Sequence, residues 1–307
     1  MKRFYTIDEN NKEVFDEKWF KEAVEEKSLI TVNSLSGGKT SSYIAANYPA
    51  DYNIFSLVRT DDINCKFPDE KVRQMVSDRL GVDFIGTLEE DAIIYTMLDL
   101  EQFIGSEINW VTGKTFEEVI NDKGNYLPNI MSRFCTTEMK LTPLFNWWLN
   151  NINEPIEMRI GFRASEHRRA NNMKEKTNYL GLSEFKHIIG KHKNGNNKWI
   201  KTGWQLPSFP LIDDAIYKDN VEAFWSNKNI RFAYMNNCVG CFHRNEALLK
   251  LMSDKNPNKF EWFCNKEKET SNSFKNGTSY EKIKNSFRNM TLFDDDFNEC
   301  DSGYCGL

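Results

Sequence analysis

Nowhere in these 307 residues does an apolar run approach the roughly 18 residues that a membrane-crossing helix requires, so no spanning helix is expected. The first ten residues, Met1-Lys2-Arg3-Phe4-Tyr5-Thr6-Ile7-Asp8-Glu9-Asn10, lack the continuous apolar stretch of a signal peptide. A soluble, cytoplasmic protein with no membrane partner is the expectation. Basic charge is not in excess either: 40 Lys and Arg stand against 45 Asp and Glu, for a net charge of −5. This argues against a protein that coats nucleic acid through bulk charge and leaves room for a local basic groove. Internal repeats and extended low-complexity segments are absent. The seven cysteines are an odd number, and in a cytoplasmic chain they point to metal ligands or reactive thiols rather than a disulfide framework.

What is present suffices for a core. The hydrophobic fraction is 40% and the aromatic fraction 13%, and the length suits one large α/β domain or a domain with an appendage. Residues 12–28 place Val14, Phe15, Trp19, Phe20, Ala23 and Val24 at near-helical spacing, which predicts an amphipathic helix within an N-terminal segment, 1–28. Apolar runs at 29–33, 52–58 and 82–85 alternate with helical patterns at 42–46 and 69–80, predicting a mostly parallel α/β sheet. Met158 to Arg163 reads as a further strand, and the polar segment 181–203 as a solvated excursion or hairpin. The α/β domain is expected over 29–235. From 236 to 307 the chain becomes rich in Asn, Lys and Cys and is expected to add little core of its own.

The sequence Ser36-Gly37-Gly38-Lys39-Thr40-Ser41 lies between a predicted strand and a predicted helix. Glycines permit a tight turn and close backbone approach, while the N–H groups at a helix start attract an anion. Lys39 adds a charge, and Ser36, Thr40 and Ser41 add hydroxyls. Neither the Walker pattern nor the dinucleotide G-x-G-x-x-G pattern is present. An ordinary turn before a helix is the bland alternative. Asp61 and Asp62 follow the second strand, where they would bind magnesium or a ribose, or cap the next helix. Arg163, Arg168, Arg169 and Lys140 form a basic set suited to phosphate or sulfonate, with a solvated helix face paired to Glu166 as the alternative.

Cys238-Val239-Gly240-Cys241 places two thiols at a spacing that grips a metal or cluster from one turn. Zinc, an iron–sulfur centre, a redox dithiol and chance remain open for the pair. Cys135 alone reads equally as a small buried apolar residue. Glu299-Cys300 is similar to the Glu-Cys of sulfonucleotide reductases, a resemblance that implies a nucleophile attacking sulfonyl sulfur. Its neighbours Asp294, Asp295, Asp296 and Asp301 oppose that role by raising the thiol pKa.

Five segments in order, spanning about 29–245, resemble the phosphoadenosine phosphosulfate (PAPS) reductase-like family of PP-loop ATP pyrophosphatases. They are Ser36 to Ser41, Arg133 to Leu144, Ile160 to Arg169, Phe209 to Trp225, and the Cys238/Cys241 pair. The sequence departs from the family at Thr40, where Asp is usual, and at Phe134, where a first cysteine would precede Cys135. The resemblance implies an adenine nucleotide alpha-hydrolase-like fold, with helices on both faces of the sheet and a Cys-rich C-terminal extension. It also implies ATP (or PAPS) with Mg2+ held by Ser36, Gly37, Gly38, Lys39, Thr40, Ser41, Asp61, Asp62, Lys140, Arg163 and Arg168. Lys39 and Arg163 would serve catalysis. Cys135, Cys238 and Cys241 would hold a [4Fe–4S] cluster, with Cys264, Cys300 or Cys305 as an optional fourth ligand.

The reading that follows is an ATP-dependent adenylating enzyme that releases pyrophosphate and performs sulfur transfer. Its acceptor would be a nucleobase, a DNA backbone or a small metabolite, and a homodimer is compatible. The alternatives are a thiol-dependent PAPS or adenylyl-sulfate reductase using Cys300, and a non-enzymatic nucleotide-binding module stabilised by zinc.

Overall fold

The computed structural model describes residues 3–9 and 12–287. A short antiparallel pair, β1 (Tyr5–Ile7) and β2 (Glu13–Phe15), precedes a helix at Glu17–Glu25. The expected helix over 12–28 is therefore shorter, because residues 13–15 pair with β1. Asp16 ends the strand and caps the helix, accepting from the Lys18 and Trp19 N–H groups at 3.0 Å each.

The main sheet contains β3 (Ile30–Leu35), β4 (Tyr52–Leu57), β5 (Ile108–Thr112), β6 (Ile156–Arg159), β7 (Ser183–Lys191) and β8 (Asn197–Ser208). Its spatial order is β5-β4-β3-β6-β8-β7, and every neighbouring pair is parallel except β7 with β8. The chain moves outward from β3 through β4 to β5, then returns to the other side of β3 with β6. Strand order thus reverses between β3 and β6. In a parallel sheet the loops leaving the carboxyl ends of two such strands diverge and open a crevice.

Period-2 alternation sends the strand side chains to two separate cores. Phe55, Leu57 and Trp110 join Ile93, Met97, Val221 and Trp225 from helices at Ala92–Ile104 and Lys218–Trp225. On the opposite face Ile54, Val111 and Met158 join Leu144, Phe145, Trp148 and Met173 from helices at Thr142–Asn151 and His167–Lys174. Helices accordingly cover both faces.

Two expectations are corrected. Residues 82–85 form no strand: they lead to Gly86, which makes isolated antiparallel bridges with Thr60 and Lys66. Gly86 passes so close to the Cys65 carbonyl that a β-carbon would lie 2.0 Å from the oxygen, so the segment is wedged against the loop after β4 rather than added to the sheet. The third parallel strand is β5. Nor is the region after 236 poor in core. Val239, Phe242, Leu249, Met252, Phe260, Trp262, Phe263, Phe274 and Tyr280 share one buried cluster with Val58, Leu88, Phe116 and Met139. This region is packed into the α/β body by its own aromatic side chains. Cys300 and Cys305 lie outside the described residues.

Candidate functional site

The Ser-Gly-Gly loop leaves the carboxyl end of β3, at the point where strand order reverses, and leads directly into the helix Lys39–Asn47. Gly37 takes a φ of +80°, a conformation open to glycine at no steric cost. Gly38 is the helix N-cap and is extended, with no side chain capping the first turn. The Ser41 hydroxyl ties the loop instead: it accepts from the Ser36 N–H at 3.1 Å and lies 3.2 Å from the Gly38 carbonyl. Ser36 Oγ is 3.1 Å from Ser41 Oγ. Thr40 Oγ1 is buried with no hydrogen-bond partner among the described residues. Across the crevice, Gly161 follows β6 and lies against the loop, its β-carbon position 3.4 Å from the Ser41 nitrogen.

A cleft of about 460 Å3 opens at the loop, lined by Gly38, Lys39, Glu222, Phe232, Tyr234 and Asn236 among others. Lys39 forms an ion pair with Glu222, and its carbonyl accepts from the Trp225 indole N–H at 2.9 Å. The cleft therefore combines helix-start N–H groups, two lysines, Lys39 and Lys218, with Lys39 paired to Glu222, and aromatic walls. That combination suits a ligand with a planar part and an anionic part.

The basic set divides. Arg163 is buried, and its backbone N–H and Nε donate to Glu166 Oε2 at 2.8 and 3.0 Å. Arg169 donates to the other carboxylate oxygen, and its guanidinium lies 4.4 Å from the Phe162 ring centre. Glu166 thus holds both guanidinium groups on one carboxylate. Nε and Nη2 of Arg169 are buried with no hydrogen-bond partner among the described residues. Arg168 is exposed to solvent. Lys140 is held elsewhere, in a buried pair with Glu89 at 2.8 Å.

Asp62 serves as a cap, accepting from the Asn64 N–H at 2.8 Å, while Asp61 is exposed. Both lie beyond the carboxyl end of β4, on the same edge of the sheet as the loop. Their place as magnesium ligands is not built by any contact among the described residues.

The Cys238/Cys241 turn lies close to the loop in space. Asn236 leans over Gly38, Asn237 adopts a φ of +70°, and the Cys241 N–H donates to the Cys238 carbonyl at 3.0 Å. Arg244 clamps the turn through the carbonyls of Asn236, Cys238 and Val239. The Val239 N–H donates to the Leu88 carbonyl at 2.7 Å, and Tyr280 Oη donates to the Gly240 carbonyl at 2.9 Å. Burial, the nearby Glu89 carboxylate and Cys135 together push the Cys238 thiol up to about 12, against the opposing pull of Lys140. Burial also raises Cys135. Cys264 stands apart, buried and influenced by Glu261 and Lys284. Among the described residues no three His, Cys, Asp or Glu side chains converge closely enough to hold a metal ion.

No family model, no curated protein and no solved structure matches this chain. The loop, Arg163, Arg168 and the cysteine pair are the candidates legible in the sequence. Asn236, Glu222 and Glu89 carry no local signal and come to notice only through their contacts with Gly38, Lys39 and Lys140 across the fold.

Proposed function

We propose that the chain is a PP-loop nucleotide enzyme that binds ATP, with Mg2+, in the crevice between β3 and β6 and transfers adenylate to an acceptor. The observation that carries this reading is the position of Ser36-Gly37-Gly38 at the reversal of strand order, at the start of a helix and beside an open cleft. The helix-start N–H groups and Lys39 receive the β- and γ-phosphates. An acceptor nucleophile attacks the α-phosphorus, the bond to the bridging oxygen breaks, and pyrophosphate leaves against the positive charge of Lys39. The acceptor is a nucleobase, a DNA backbone or a small metabolite, and sulfur transfer is the outcome that the family resemblance suggests.

Calorimetric titration with ATP and Mg2+, followed by an assay for pyrophosphate, tests this. Binding that Lys39→Ala weakens is the expected result. Absence of ATP binding by the intact chain rejects the reading. A second reading, thiol-dependent reduction of PAPS or adenylyl sulfate, is favoured by the two unpartnered Arg169 nitrogens, which suit a sulfonate. Tighter binding of PAPS than of ATP would select it. The metal question is separate: iron, sulfide and zinc analysis after anaerobic purification decides whether Cys135, Cys238 and Cys241 carry a group.

A further inference from the structure

The hairpin of β7 and β8 extends past the rest of the sheet. β6 pairs with β8 only from Gln205 to Ser208, so residues 197–204 continue beyond the amino end of β6 with β7 as their partner. At about 3.3 Å per residue the projecting ribbon is on the order of 20 Å long. One face is anchored: Phe185 stacks on Phe145 at 4.6 Å, and His187 lies 4.8 Å from the same ring. The other face carries Lys186 directly opposite Lys201 and Ile188 directly opposite Trp199.

The composition of this ribbon is opposite to that of the chain. From Ser183 to Lys201 there are five lysines (186, 191, 193, 198 and 201) and one acid, Glu184, a net of +4 in a protein whose net charge is −5. Like charges placed directly opposite across two strands are destabilising, and the single acid, 3.6 Å from Lys201, offsets one of them. Trp199 is 51% exposed, with Lys186 Nζ at 5.2 Å from its ring centre. A half-exposed indole among lysines is a surface on which a base stacks while its phosphates meet the ammonium groups.

We propose that this β-ribbon binds single-stranded nucleic acid, through its lysines to phosphates and through Trp199 to a base. The inference does not depend on the nucleotide reading, because the ribbon leaves the amino edge of the sheet and the Ser-Gly-Gly loop leaves the carboxyl edge. A single strand is favoured over a duplex because only unpaired bases offer a free face to Trp199.

The test is fluorescence anisotropy of the intact protein with a fluorescein-labelled oligothymidylate of about 20 nucleotides, long enough for the usual single-strand sites. The salt range is roughly 50 to 200 mM NaCl. Binding should weaken linearly on a log–log plot. The Lys198→Glu, Lys201→Glu double variant should weaken it more than about tenfold and flatten the slope by roughly 1.4, about 0.7 for each phosphate left without its lysine. Trp199→Ala should weaken binding about tenfold with the slope kept. Lys193→Glu, in the exposed turn, gives a second charge variant that disturbs no packing, and melting temperatures confirm that each variant is folded. The proposal is overturned by absence of binding at the lowest salt, or by binding that folded ribbon variants leave intact. Tighter binding of a duplex with Trp199→Ala silent also overturns it, as does binding of phosphatidylserine vesicles in place of the oligonucleotide.

Discussion

The amide of Asn236 lies across Gly38 so closely that a β-carbon on the glycine would sit 2.0 Å from Asn236 Nδ2 and 2.8 Å from its Cγ. Two residues almost two hundred positions apart thereby form one wall of the cleft. Gly38 has an ordinary extended conformation, with a φ of −98°, so its need for glycine is steric. Gly38→Ala should displace the half-exposed Asn236 side chain and lower ATP affinity while leaving urea stability almost unchanged. Adding Asn236→Gly should recover part of the affinity. Calorimetry reads both effects, and unchanged ATP binding by the single variant would remove the loop from the phosphate site.

Glu222 is paired with Lys39, the cation proposed to receive the phosphates. The Lys39 and Glu222 side chains are 35% and 40% exposed, so their pairing is worth at most about 1 kcal/mol in water. A triphosphate offers more charge and more acceptors than one carboxylate. Glu222→Gln should therefore leave urea stability almost unchanged and tighten ATP binding several-fold at low salt, with the gain fading as salt screens it. Weaker binding by this variant would show that Glu222 contacts the ligand directly.

High pH should unfold the protein through thiols remote from the cleft. Burial pushes Cys65 and Cys264 from an ordinary value near 9 up to about 12. Between those values the unfolded thiols have lost their protons and the folded ones retain them, so the native state binds more protons and stability falls as pH rises. Each thiol contributes about 1.4 kcal/mol per pH unit in that window. Urea midpoints should drop steeply above pH 9, and Cys264→Ala should make the decline shallower. A midpoint that stays level from pH 9 to 11 would contradict the burial of both groups.

The parts of this architecture that could be read along the chain are those made by neighbours in sequence. Strand, glycines and helix start are contiguous from 30 to 47, and the hairpin at 183–208 announces itself by its polar, glycine-bearing turn. The short apolar run at 82–85 has the composition of a strand, yet its place is set by Cys65 and Thr60. Composition averaged over 236–287 hid a core written in helical spacing, Phe260, Phe263 and Cys264 after Pro257 at a helix start. Asn236, Glu89 and Glu222 carry no local signal because their partners are Gly38, Lys140 and Lys39, brought near by folding alone.

The pair of Lys140 and Glu89 offers the sharpest stability test. Glu89 is fully buried, its Oε1 accepts from Lys140 Nζ at 2.8 Å, and its Oε2 is buried with no hydrogen-bond partner among the described residues. Lys259 Nζ approaches the same residue but donates to the Glu89 carbonyl, at 2.5 Å, and to Asp91. Lys140 is therefore the cation on which the Glu89 carboxylate depends. Lys140→Met should cost about 3–5 kcal/mol, since it strands a buried charge. Glu89→Gln combined with Lys140→Met removes both charges and should cost markedly less than the sum of the two single changes. Urea unfolding of the four proteins in this cycle measures the difference, and additive costs would mean that the two side chains are not coupled in solution.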